Sequence, residues 1–221
     1  MRYHPVYLDL RGRRCVVVGG GDVAQGKVES LLDADARVTV VTPAPNAAVA
    51  ALAETHEILH HPRRYQRGDL AEAVLAYVAV DDESERAAVA ADAAAAGVLV
   101  NVVDEPRLCS FIAPAVLRRE PVTIAFSTGG ASPALARRLR EELEAQVGPE
   151  YGTAATILAR LRPLIRAAEP DPGARARTYA RLVDGPLLAA LRAGDAAEVD
   201  AILRASVGEA ATLGALGVAL R

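Results

Sequence analysis

A chain of 221 residues, 52% hydrophobic and 24% charged, can bury a substantial core in one large domain or two small ones. Its net charge of −3 argues against general nucleic-acid binding, and no apolar run is long and charge-free enough to span a bilayer. The two cysteines, Cys15 and Cys109, give neither a disulfide framework nor a metal-type spacing, and the N-terminus lacks an apolar leader, so the expected compartment is a reducing cytoplasm.

In chain order, residues 13–18 form an apolar run that stops at glycine, which predicts a buried strand. Asp22 to Asp33 shows helical spacing, and Arg37 to Val41 is a β-branched strand. A helix follows over Asn46–Glu54, then a short strand over Glu57–His60 and a further strand over Leu75–Val80. Ser84 to Ala96 is an alanine-rich helix closed by Gly97, and Leu99 to Val102 is the fifth strand. This alternation implies βαβ units and a parallel sheet with helices on both faces, a Rossmann-like α/β fold.

The alternation ends near Pro106. Ala115–Arg119 and Val122–Ser127 read as two strands whose link, Glu120-Pro121, is too tight for a crossover helix. Ser132-Pro133 opens a helix to about Gln146, serine as N-cap and proline in the first turn. From Gly152 onward the pattern is helical, broken at Pro170–Gly173, Asp184–Pro186 and Gly194. The predicted division is a Rossmann domain over residues 1–112, a small mixed α/β segment over 113–148 and a helical C-terminal domain over 149–221.

Gly19-Gly20-Gly21-Asp22-Val23-Ala24 matches the dinucleotide fingerprint G-x-G-x-x-G/A between a predicted strand and a predicted helix. Gly19 permits the tight turn, Gly21 lets a pyrophosphate approach the backbone, and Ala24 keeps helix and sheet close. Free N–H groups and the helix dipole then face the phosphates. The acidic residue that should close the second strand is missing: the chain has Val41-Thr42-Pro43 and no arginine there, so these residues do not choose between NAD and NADP.

Asn101-Val102-Val103-Asp104 lies at the C-terminal end of the fifth strand, the edge where open parallel sheets bind ligands. A carboxylate at Asp104 is placed to take a proton from a substrate beside the cofactor, or to be a solvated loop residue or cap. Ser127-Thr128-Gly129-Gly130-Ala131-Ser132 runs into a helix with Arg137, Arg138 and Arg140; hydroxyls, glycines and a helix N-terminus suit a carboxylate or phosphate. Ser132 as a plain N-cap and the arginines as a solvated face are the alternative.

These stretches, with Pro5–Leu10, Lys27 and Ser110–Ala115, resemble in order and spacing the precorrin-2 dehydrogenase family of sirohaem synthesis, some of whose members are also sirohydrochlorin ferrochelatases. The likeness covers roughly the first 145 residues; the helical tail is similar only loosely. It implies oxidation of precorrin-2 to sirohydrochlorin with NAD as hydride acceptor, and Asp104 as general base. It implies NAD contacts at Gly19, Gly20, Gly21, Asp22, Val23, Pro43 and Ala44, with Val80 beside the cofactor. Asn101, Ser127, Thr128, Gly129, Gly130, Ser132 and Arg137 are the implied donors to the tetrapyrrole's eight carboxylates. The resemblance also implies a homodimer, formed through the segment from Ala113 to about Gly148, and no membrane or nucleic-acid partner.

The chain departs from the family in three places. Val80 stands where a threonine is common, Arg86 where an asparagine is, and Thr128 at the serine phosphorylated in fused enterobacterial forms. His56, His60 and His61 lack the partners of a metal set, so no metal ligands are assigned. The alternatives are a bifunctional dehydrogenase and ferrochelatase and, from another class, an NAD-sensing module needing no base at Asp104.

Overall fold

The computed structural model describes residues 3–220, and the chain divides into two compact units between Ala113 and Pro114. In the first unit β1 (Arg14–Val18), β2 (Arg37–Val41), β3 (Leu59–His61), β4 (Leu75–Val78) and β5 (Leu99–Val102) alternate with α1 (Asp22–Leu32), α2 (Ala47–Glu54) and α3 (Glu83–Ala96). Every pairing in this five-stranded sheet is parallel, in the order β3-β2-β1-β4-β5.

The central place of β1 follows from its composition, because Cys15 to Val18 are completely buried and only a strand covered on both faces tolerates so continuous an apolar run. Alternation sends Val16 and Val18 to the face packed by Val89, Ala90 and Ala93 of α3. Cys15 and Val17 go to the other face, against Ala24, Val28 and Leu31 of α1. Burying each such valine or leucine side chain stabilises the unit by roughly 1.5–3 kcal/mol.

The register decides where function can lie. Val18 stands level with both Val41 and Val78, and Val78 stands level with Val102. The loops after β1, β2, β4 and β5 therefore leave the sheet along one edge, and the strand order reverses between β1 and β4, the switch point at which such sheets bind ligands.

Three of the predicted boundaries that shift do so for a visible reason. The third strand begins at Leu59 rather than Glu57, because the amides of Glu57 and Ile58 both donate to the Leu52 carbonyl and close α2. The fourth strand ends at Val78 rather than Val80: Ala79 N–H still bonds the Val18 carbonyl, and the chain then leaves the sheet. Helix α3 starts at Glu83, because the Asp82 carboxylate accepts the Glu85 N–H at 3.1 Å and caps it ahead of Ser84.

In the second unit β6 (Ala115–Arg119) and β7 (Val122–Phe126) form an antiparallel hairpin, and α4 (Pro133–Gln146) packs beside β6. Helices α5 (Glu150–Ala168), α6 (Pro172–Asp184), α7 (Leu187–Ala193), α8 (Ala196–Val207) and α9 (Leu213–Leu216) enclose a second core. Ile157, Leu161 and Ile165 of α5 meet Leu182, Leu187 and Leu203 there. The helix breaks fall where proline and glycine dictate: Asp171 caps α6, with Pro172 in its first turn, and Gly194 ends α7 in the left-handed conformation.

Candidate functional site

The glycine turn is shaped by close approach on one side and open space on the other. Gly19 has φ of 128°, and a Cβ there would collide with the Ala79 carbonyl. A Cβ on Gly20 would lie 2.8 Å from Pro45 Cα and from Thr42 Cγ2. At Gly21, by contrast, nothing lies within 4 Å of an added Cβ.

Gly21 is also the N-cap of α1 and has no side chain to satisfy the first N–H groups of that helix. A pyrophosphate therefore finds unspent backbone donors, the positive end of the helix dipole and room to approach them. Ala24, fully buried, brings α1 down onto the sheet.

Of the residues predicted for the cofactor, Gly19, Gly20, Pro43 and Val80 line a crevice of about 280 Å³ together with Thr42 and Arg64 among others, whereas Gly21, Asp22, Val23 and Ala44 are not part of its lining. Asp22 and Val23 stand in the first turn of α1, with the Asp22 carboxylate accepting from Asn46 Nδ2 at 3.1 Å. Ala44 N–H bonds the Thr42 hydroxyl at 3.3 Å. This glycine turn, with its open phosphate approach, fits a dinucleotide.

Sequence reasoning missed three contributors. Asn46 ties the turn together: its amide nitrogen donates to Asp22 and to Gln25, its oxygen accepts from Val49, and its N–H bonds the Gly20 carbonyl at 2.7 Å. Arg64, from the loop after β3, reaches the crevice wall and pairs with Asp82 at 3.0 Å and Glu85 at 3.7 Å. Hydrogen bonds from the Ser84 hydroxyl, the Glu85 N–H and Arg64 hold the Asp82 carboxyl well below the usual carboxylate range. The Asp82-x-x-Glu85 spacing was a readable cap signal; nothing local marked Arg64.

Lys27, on the buried side of α1, stands 5.1 Å from the centroid of Tyr77, whose ring meets Phe111 edge-on at 5.5 Å. Burial pushes the Lys27 ammonium below its ordinary pKa.

Asp104 occupies the turn after β5, exposed, with φ of 60°. Glu105 N–H closes that turn onto the Val102 carbonyl at 3.2 Å. Left-handed backbone is tolerated by aspartate better than by most residues, and the turn leaves the residue exposed.

Asn101 donates its amide to the Phe111 carbonyl at 3.0 Å, so that nitrogen fastens the returning loop. The Cys109 thiol is similarly enclosed, accepting from Val102 N–H and donating to the Val102 carbonyl, each at 3.2 Å.

The predicted substrate turn lies in the second unit. Gly129 and Gly130 adopt φ of 66° and 86°, and the Thr128 hydroxyl bonds both the N–H and the carbonyl of Ser132 at 3.2 Å. Gly129 N–H bonds the Ser127 hydroxyl, and Ser132 caps α4 through Leu135 N–H. Arg138 and Arg140 face Glu142 and Glu144 one turn on, whereas no partner holds exposed Arg137 among the described residues.

Also among the described residues, no group of three or more His, Cys, Asp or Glu side chains is gathered as a metal site, and His60 bonds the Thr42 carbonyl at 2.9 Å. No helix is long and apolar enough to cross a membrane among those residues.

Comparison with known proteins matches three family models along the chain. Residues 6–115 match the family described as "Putative NAD(P)-binding", residues 119–146 the sirohaem biosynthesis protein central region, and residues 150–207 the sirohaem synthase dimerisation region. A sirohaem synthase of Methylococcus capsulatus is 41% identical over 203 residues, 92% of this chain and 43% of that protein. One from Chromobacterium violaceum is 40% identical over 98% of this chain and 46% of its own length. The chain thus spans less than half the length of these relatives. The solved structure of SirC, a precorrin-2 dehydrogenase, superposes with a TM-score of 0.73 at 25% identity, covering 85% of this chain and 92% of that one. Glycine turn, strand order and consecutive family matches agree, and over the part of their length that it spans the chain belongs with the sirohaem synthases.

Proposed function

We propose that this chain oxidises precorrin-2 to sirohydrochlorin with NAD, Asp104 serving as general base. The observation that carries the reading is the register of the sheet. It puts the open glycine turn after β1 and the Asp104 turn after β5 on one edge of one unit. Residue by residue, the N–H groups behind Gly21 hold the pyrophosphate, while Pro43, Ala44 and Val80 border the nucleotide. Bound NAD supplies the hydride acceptor. Asp104 takes the accompanying proton on a carboxylate oxygen, and its exposed turn lets that proton pass on to water.

Substrate carboxylates are assigned to Arg137 and the donors Ser127, Thr128, Gly129, Gly130 and Ser132 of the second unit, whereas the Asn101 amide is engaged by the Phe111 carbonyl and the Cys109 sulfur. A homodimer belongs to the same proposal. It is supported by the dimerisation-region match and by the apolar residues the second unit leaves uncovered: no residue of α4 is buried, and Leu135 is 51% exposed. The segment 113–148 is its proposed seat, together with the matched helices. A monomer at micromolar concentration in a solution size measurement would remove that part.

Anaerobic incubation of the protein with precorrin-2 and NAD is the direct test. NADH absorbance and the sirohydrochlorin spectrum should rise together. If a folded sample gives neither, with NAD or NADP, the dehydrogenase reading fails and an NAD-sensing module replaces it. Ferrous ion added to the product then tests metal insertion.

A further inference from the structure

A second crevice opens beside the Asp104 turn. It holds about 300 Å³ and is lined by Glu83, Arg86 and Ala87 from the start of α3 and by Glu105, Arg107 and Leu108 from the loop after β5. Its two arginines are not equivalent. Arg107 is exposed and forms a 3.0 Å ion pair with Glu105. Arg86 is half-buried; its backbone N–H bonds the Asp82 carbonyl, but among the described residues no hydrogen bond or ion pair holds its guanidinium.

A guanidinium carries five donors, and one left partly desolvated without an acceptor loses hydration that nothing replaces. Arg86 also sits near the positive end of α3, where the helix dipole disfavours a cation. The nearby Glu105 carboxylate does not fill the need: it faces Arg107, whose hydrogen bond holds its pKa below the ordinary value, with Arg86 contributing only from a distance. With no acceptor from the chain on its guanidinium, Arg86 is free to exchange water for an anionic group small enough to enter beside Glu105.

We propose that Arg86, backed by Arg107, is a carboxylate-binding subsite that anchors one acid side chain of the tetrapyrrole next to Asp104. The inference rests on the dehydrogenase reading for the identity of the ligand. It adds a contact that neither the glycine turn nor the Ser127–Ser132 turn supplies. A planar guanidinium takes a carboxylate through two parallel N–H donors, which fixes orientation as well as position. An acid group held there is tethered next to the turn bearing the base, so the ring carbon that loses hydrogen is presented to Asp104 with little freedom. Arg86 is thus a substrate-binding residue, and its effect belongs in affinity rather than in the chemical step.

The test uses the whole chain as wild type, Arg86→Ala, Arg86→Lys and Arg107→Ala, each checked for an unchanged unfolding midpoint. Two readouts are taken: turnover of precorrin-2 at saturating NAD, and direct binding of sirohydrochlorin by fluorescence quenching. Losing a charge-assisted pair should raise the KM for precorrin-2 and the Kd for sirohydrochlorin about tenfold or more in Arg86→Ala. The kcat and the KM for NAD should stay within about twofold of wild type. Arg86→Lys should recover part of the loss, since it restores charge without the fork, and Arg107→Ala should show a smaller effect.

If Arg86→Ala binds sirohydrochlorin as tightly as wild type, the subsite is wrong even when turnover is normal. If wild type binds sirohydrochlorin and Arg86→Ala does not, while wild type turns over no precorrin-2, the subsite stands and the dehydrogenase reading falls. If Arg86→Ala fails to fold, Arg86→Lys decides alone: unchanged sirohydrochlorin affinity together with an unchanged KM overturns the proposal.

Discussion

The carbonyl of Ala79 lies where a Cβ on Gly19 would have to sit, so the glycine turn rests directly on the exit of β4. Gly19→Ala must therefore move backbone as well as force alanine into φ of 128°. The conformational strain alone is worth about 1–3 kcal/mol, and the unfolding midpoint should fall accordingly. Gly21→Ala is the contrasting variant. Its φ of −83° suits alanine and nothing crowds the added methyl, so stability should change by less than about 0.5 kcal/mol. The methyl fills the phosphate approach, however, and NAD affinity should drop about tenfold or more, as read by nucleotide titration. Tight binding by Gly21→Ala would place the pyrophosphate elsewhere.

Asp104→Asn should retain fold and NAD affinity, because asparagine also tolerates the φ of 60° at this turn. Precorrin-2 oxidation should fall at least about a hundredfold in kcat, the usual scale of a lost general base. Comparable turnover by the two proteins would leave Asp104 a loop residue.

Arg64 neutralises two carboxylates at the cofactor crevice, Asp82 and Glu85. Arg64→Ala leaves both facing an anionic dinucleotide. NAD affinity should weaken about fivefold at low salt, and the loss should shrink as ionic strength rises. A loss independent of salt points instead to a direct contact between Arg64 and the nucleotide.

Glu150, at the start of α5, receives Arg192 Nε at 2.9 Å and Nη2 at 2.6 Å. Burial pushes its carboxyl pKa up, but the hydrogen bonds and charge of Arg192 together with backbone hydrogen bonds at Glu150 and Gly148 outweigh that and hold it below the usual glutamate value. A lowered folded pKa means the stabilisation is complete above the unfolded value, about 4.5, and is lost as pH falls through the folded one. Thermal midpoints should therefore drop on acidification below about pH 4.5. Glu150→Gln should lower the midpoint at pH 7 by a few degrees, with a smaller further loss in acid. Parallel acid profiles for the two proteins would show that another carboxylate carries the effect.

Much of the site was readable before any coordinates. The glycine fingerprint, the run Cys15–Val18 and the strand ending near Asp104 are local patterns whose chemistry is written in consecutive residues. The boundaries of β3 and β4 were less legible. Glu57 and Ile58 look like strand residues, yet their amides close α2, a competition settled by backbone geometry at the helix end. Val80 continues an apolar run, yet the chain has already turned out toward the crevice.

The sequence by itself determined the alternation of strands and helices, the burial of β1 and the dinucleotide turn, because these depend on propensity and periodicity over a dozen residues. Only the tertiary structure decided that β4 crosses to the far side of β1 and that Val18, Val78 and Val102 stand level. It alone brought Asn46 to Asp22, Arg64 to Asp82, and Arg86 into one crevice with Arg107. Those contacts join residues 18 to 24 positions apart, and no local pattern encodes them. They exist because the parallel register and the crossover helices carry distant loops to the same edge of the sheet.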